Sequence, residues 1–192
     1  MELINAFVDF STKFISSGGV LYGFLLVLLE SAIPALPLGV FVALNVNAFG
    51  MFMGIFISWV ATCLGCFLSY SLFYYLSNKY IYKFFNAKKK RKIDKAINRI
   101  KNISFSNLVL LIALPFTPAF LINILCGINY IPIKKFLSAI LLGKVFMIIF
   151  WGYVGKSLIE SITDISTIII VSIMLLIAYL LSKIVSKRMN IE

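Results

Sequence analysis

Two ionisable residues stand in sequence where charge is costly. Glu30 is the only acid between Lys13 and Lys79, and apolar runs flank it on both sides. Lys144 falls inside the apolar run 136–155, eight residues from its start, or about 12 Å deep at helical rise. A charge at membrane depth marks a substrate or ion pathway by default. A carboxylate there can carry a proton, and an ammonium can hold a phosphate oxygen or neutralise the carboxylate. The plainer readings put Glu30 among outer headgroups or against exposed helix-end amides. They let the Lys144 stem reach back to the cytoplasmic face.

Both residues keep company with an unusual motif. Pro34-Ala-Leu-Pro37 begins four residues after Glu30, and Pro115-Phe-Thr-Pro118 sits in the middle of a second uncharged stretch. Proline lacks the backbone donor and clashes with the preceding helical turn. In a bilayer the groups so released must find protein or water partners. Two such breaks predict two re-entrant hairpins, or broken helices, that meet and satisfy each other, as at transport sites near the midplane. Asn45, Asn47, Asn123 and Asn129 follow the breaks, and their amides can bond freed backbone groups or a headgroup. Asn45 and Asn129 suit the structural role, whereas Asn123, next to the second break, suits either. The pathway candidates are therefore Glu30, Pro34, Pro37, Pro115, Pro118, Asn123 and Lys144. Gly50, Gly127, Gly143 and Gly155 are read as structural glycines, the last three at close helix contacts.

The elements that must position these residues are membrane helices. Residues 31–78 and 102–133 carry no charge, residues 165–182 carry none, and residues 136–155 carry only Lys144. A spanning helix needs about 20 apolar residues. The expected fold is an all-α integral membrane protein of one domain, residues 1–192. No cleavable signal peptide is expected, because Glu2 and Asp9 stand where a basic region would be. Residues 1–17 suit an amphipathic helix lying on the surface.

The net charge of +11 is concentrated. Ten of the eighteen basic residues fall between Lys79 and Lys101, opposed only by Asp94. Between membrane segments this is a cytoplasmic loop, lying against anionic headgroups rather than nucleic acid. Ile93, Ala96, Ile97 and Ile100 are spaced for a helix on that surface. With the loop inside, Lys134, Lys135, Lys183, Lys187 and Arg188 also fall inside if residues 102–133 enter and return. Residues 136–155 then cross outward and residues 165–182 cross back. The first half mirrors the second, with residues 19–47 dipping from outside and residues 50–78 crossing inward. The arrangement is an inverted repeat.

Several functions are disfavoured. There is no histidine, no nucleophile–base pair, no phosphate-cradling glycine loop and no metal cluster. Neither an enzyme nor a cofactor or metal is expected. Cys63-Leu-Gly-Cys66 has redox spacing, but in an apolar helix it reads as small-residue packing. Aromatics such as Trp59, Tyr70, Tyr74 and Tyr75 fit an interfacial belt.

Glu30-x-x-x-Pro34-x-x-Pro37, Asn47-Ala-Phe-Gly50, the run 58–65, Pro115-Phe-Thr-Pro118, Asn123, Gly127, Gly143-Lys144 and Tyr153-x-Gly155 together resemble DedA proteins. The closest resemblance is to the VTT-domain (SNARE-associated) branch, over about residues 22–156. The resemblance implies two opposed re-entrant hairpins, a cell-membrane location, and movement of phospholipids or polyprenyl phosphate across the bilayer. Some relatives are linked to protons. This chain departs from the pattern at Ile112, where an arginine is frequent, and at Asn78, where a basic residue usually ends the span. The leading expectation is a flippase or scramblase. The alternatives are a proton-coupled transporter of a small solute, or a membrane scaffold whose basic loop recruits a partner. Membrane lipids and protons are the implied partners, and a homo-oligomer is compatible with the sequence.

Overall fold

The computed structural model describes residues 18–33, 38–81, 100–101, 103–117, 119–160 and 164–188. Expectations for residues 1–17, for Pro34, Pro37 and Pro118, and for Ile93, Ala96 and Ile97 lie outside them. All regular structure among the described residues is helical: α1 (Gly19–Ala32), α2 (Leu38–Phe49), α3 (Met51–Ile81), α4 (Phe105–Ala113), α5 (Ala119–Ile128), α6 (Ile133–Glu160) and α7 (Ile165–Arg188).

Helix lengths divide the elements into two kinds. Met51–Leu76, Ile133–Leu158 and Ile165–Val185 are long and apolar enough to cross a membrane. Their lengths at helical rise reach or exceed the ~30 Å of a hydrocarbon core. Helices α1, α2, α4 and α5 have 14, 12, 9 and 10 residues and cannot cross alone. They come in pairs on either side of the two proline motifs.

α3 and α6 form the central pair. Trp59 Nε1 donates to Leu141 O at 3.1 Å, and the Tyr70 hydroxyl donates to Ile131 O at 2.7 Å. Later residues of α3 thus meet earlier residues of α6, so the two run antiparallel. α1 lies along α3 and α4 lies along α6, while α2 reaches across to α6 and α5 reaches across to α3. The larger apolar cluster joins Cys63, Cys66 and Tyr70 of α3 to Leu108, Leu111 and Ile112 of α4, Ile122 and Cys126 of α5, and Phe136 and Ile140 of α6. The smaller one joins Val42 and Val46 of α2 to Ile148 of α6.

Glycine permits two of the closest approaches. A Cβ on Gly65 would lie 2.5 Å from Leu28 O, and one on Gly127 would lie 2.6 Å from Tyr70 O. Without these side chains α1 and α5 settle directly on the α3 backbone. Gly143 faces Ile112, and Gly155 faces Ala43. Gly50 is different. It joins α2 to α3 at φ +81 with open space around it, so its role is conformational.

Two boundaries differ from the sequence expectation. α6 extends beyond residues 136–155 at both ends, with Lys134 and Lys135 in its first turn and Lys156 just before its last, where charge can reach the interface. Ile100, expected on the apolar face of a helix lying on the surface, is helical and fully buried in the larger cluster. It is held there because the chain entering α4 is tied down, with the Lys135 ammonium donating to Ile103 O.

α7 packs more loosely, through Val171, Ala178 and Ser182. Its start is defined by Asp164, whose carboxylate accepts from the Ser166 amide at 3.3 Å, the Ser166 hydroxyl at 2.6 Å and the Thr167 hydroxyl at 2.9 Å. These bonds hold the Asp164 carboxyl below its ordinary pKa. A depressed folded-state value means that the cap is at full strength above the ordinary aspartate range. It weakens only as pH falls through the lower folded value.

Candidate functional site

The feature that organises this site is a buried ammonium. Lys144 lies midway along α6 and is only 2% exposed. It does not reach back to the surface. Its Nζ contacts the Met147 sulfur at 3.3 Å, and a thioether is a weak acceptor. A buried charge without an oxygen partner is costly and calls for a compensating group.

Two other helices bring groups to Lys144. Glu30, half-buried in the last turn of α1, and Cys63 of α3 both lie within electrostatic reach of it. Glu30 and Lys144 do not form a contact ion pair, so each keeps capacity for another partner. The Gly65 contact seats Leu28, Ser31 and Ala32 on the α3 backbone and so fixes the height of the last turn of α1, which carries Glu30. Next in sequence to Glu30 and Cys63, the Ser31 and Thr62 hydroxyls are buried and have no hydrogen-bond partner. Such groups are rare in a finished core and mark a place prepared for water or a ligand. The site thus sets one negative group on α1 and one positive group on α6 within electrostatic reach of each other.

The second proline motif contributes differently. Pro115 sits half-buried in the turn between α4 and α5, where the Thr117 amide donates to Leu114 O at 3.3 Å. The Thr117 hydroxyl and the Asn123 Nδ2 are buried and unpartnered. Asn123 lies one turn before Gly127, on the face of α5 that packs against α3. The structure therefore joins Glu30 with Lys144, and sets Asn123 against α3 from the other side.

The remaining asparagines are structural. Asn45 Nδ2 ties three helices together, donating to Gly23 O of α1 at 3.2 Å and to Ser58 Oγ of α3 at 3.0 Å. Asn129 Nδ2 donates to Leu125 O at 2.8 Å and closes α5. Cys63, Cys66 and Cys126 are all buried free thiols. Sequence reading did not single out Ser31, Thr62 or Thr117. The available signal was a small polar residue one position from Glu30, one from Cys63, and one inside the second proline motif.

Comparison with known proteins follows this geometry closely. The VTT domain family model matches residues 33–157, which contain α2 through most of α6. An uncharacterized membrane protein of Bacillus subtilis (strain 168), YhjE, is 30% identical over 167 residues, spanning 86% of this chain and 80% of the relative. No solved structure matches this chain significantly. A family match over most of the chain, on an all-helical frame with three helices able to span a bilayer, shows that this protein belongs to the VTT-domain family of membrane proteins.

Proposed function

We propose that this protein moves a phosphate-bearing lipid, a phospholipid or a polyprenyl phosphate, across the cell membrane without chemical change to it. The observation that carries this reading is Lys144, a buried ammonium whose one close partner among the described residues is a thioether. A phosphate oxygen is the acceptor such a group lacks. The hydroxyls of Ser31 and Thr62, next in sequence to Glu30 and Cys63, supply neutral contacts.

The helix arrangement supports two re-entrant hairpins related by inversion. Gly23 of α1 and Asn45 of α2 lie at similar distances from the first proline motif and are hydrogen-bonded, as in a helix that turns back. α1 lies on α3 as α4 lies on α6, and each second arm reaches the other half's span, α5 onto α3 and α2 onto α6 as well as onto its own α3. Two half-length arms entering from opposite faces leave a thin polar centre, where a headgroup crosses while its tails stay in lipid. In this orientation the basic segment 79–101 and the end of α7 are cytoplasmic.

Two measurements test the reading. Purified protein in liposomes should speed the flip of fluorescent phospholipids above the protein-free rate; equal rates with every lipid tried would sink it. Single cysteines in a Cys-free background should label from inside at Lys187 and from outside at Asp164, and the reverse pattern would invert the topology. Glu30, a carboxylate within reach of Lys144, also supports a second reading, proton-coupled uptake of a small solute. Gradient-dependent solute uptake without lipid flip selects that one.

A further inference from the structure

Away from Lys144, the end of α3 and the turn before α6 enclose a cleft of about 290 Å³, lined among others by Phe67, Ser71, Tyr74 and Tyr75 of α3 and by Tyr130 and Ile133. Tyr74 stands between two other rings of the cleft. The Tyr74 ring stands at 80° to Tyr75, with centroids 5.7 Å apart, and at 80° to Tyr130, with centroids 5.0 Å apart. Tyr70 lines the cleft rigidly, stacked on Phe136 at 4.2 Å, with its hydroxyl committed to Ile131 O.

Tyr130 occupies its place against backbone preference. Its φ is +52, and it ends α5 in a left-handed cap. Its amide donates to Gly127 O at 3.0 Å, and the Ile131 amide donates to Cys126 O at 3.1 Å. Glycine takes that position without strain, and an aromatic residue does not. The ring is therefore held in the cleft at a conformational cost.

Level and charge together indicate the occupant. The apolar window of α3 ends at Leu76 and that of α6 begins at Ile133, so the cleft lies where hydrocarbon gives way to headgroups. Tyrosine faces attract an ammonium through the ring quadrupole. Among the described residues no acid lines the cleft, Lys134 beside it is exposed, and the chain carries +11. That field repels a bare cation. It admits an ammonium that brings its own phosphate.

We propose that this cleft binds the ammonium end of a zwitterionic phospholipid headgroup, ethanolamine or choline, with the phosphate in reach of Lys134. The site is separate from the one around Lys144 and does not depend on lipid movement.

The test is lipid retention by the full-length protein in detergent, read by native mass spectrometry. Phosphatidylethanolamine, phosphatidylcholine and phosphatidylglycerol of matched chains are titrated separately. At salt high enough to screen the basic segment 79–101, the two zwitterionic lipids should be retained about fivefold better than phosphatidylglycerol. Tyr74→Leu and Tyr130→Gly should erase that preference, and Tyr74→Phe should keep it. Because Tyr130→Gly relieves the left-handed strain, its melting temperature should be unchanged or raised, which separates lost binding from lost fold. Soluble glycerophosphoethanolamine should bind much more weakly than the lipid. Equal retention of all three lipids, or an unaltered preference in Tyr130→Gly, reduces the rings to an interfacial belt and overturns the site. Soluble headgroup binding as tight as the lipid overturns the membrane as its source.

Discussion

Replacing Lys144 by methionine should reduce lipid flip about tenfold to a hundredfold while leaving the protein folded. The size follows from losing one charge-assisted contact, about 1.5–3 kcal/mol, at the point of highest charge in the path. Folding should survive for two reasons. Methionine roughly conserves the volume of the lysine stem, and removing a poorly compensated buried ion is often neutral or stabilising. Glu30→Gln keeps shape and hydrogen bonding but removes titration, and it should flatten any pH dependence of the rate. Since Glu30 lies within electrostatic reach of Lys144, the double variant should lose less than the sum of the single losses. The measurement is headgroup flip in liposomes, with thermal unfolding in detergent as the control. Wild-type flip by Lys144→Met would move the functional centre to the second hairpin, around Asn123.

The second large effect concerns packing. Gly65→Leu should destabilise the protein by about 3 kcal/mol or more and abolish activity together. A Cβ at this position would meet Leu28 O at 2.5 Å and the Ser31 Cβ at 2.7 Å. The first contact is backbone, so α1 must move as a unit, and overpacking a tight contact costs ~1–3 kcal/mol before the rest of the leucine is placed. The same movement carries Glu30 and Ser31 away from Lys144. Gly50→Ala provides the contrast. It adds only backbone strain, about 1–2 kcal/mol, because the space around Gly50 is open. Thermal midpoints of the two variants decide the matter: a Gly65→Leu protein as stable as Gly50→Ala would mean that α1 is not seated on α3 as described.

The two variants separate chemistry from architecture. Lys144→Met should spare the fold and lose the function, whereas Gly65→Leu should lose both. A site that merely filled space would not make this distinction, since a methionine would serve it as well as a lysine.

Much of the helical framework was legible in the chain because bilayers impose coarse rules. Uncharged runs of sufficient length become helices, and paired prolines interrupt them, so α1, α2, α4 and α5 appear on either side of the two Pro-x-x-Pro motifs. Glu30 and Lys144 stood out for the same reason, as charges in apolar surroundings. Their pairing was one of the readings open in sequence, and with 114 positions between them only the helix arrangement brings the two within electrostatic reach. Ser31 and Thr62 were invisible because small hydroxyl residues are common in membrane helices, and only burial without a partner gives them meaning. What covers Ile100 was not legible, because helical spacing reveals which residues share a face but not what covers that face. Local sequence alone determined where helices break and which charges are costly, because both depend on the backbone and the bilayer. Tertiary structure alone decided which arm lies on which span, and so which acid faces which base, because close glycine contacts set the distance between helices.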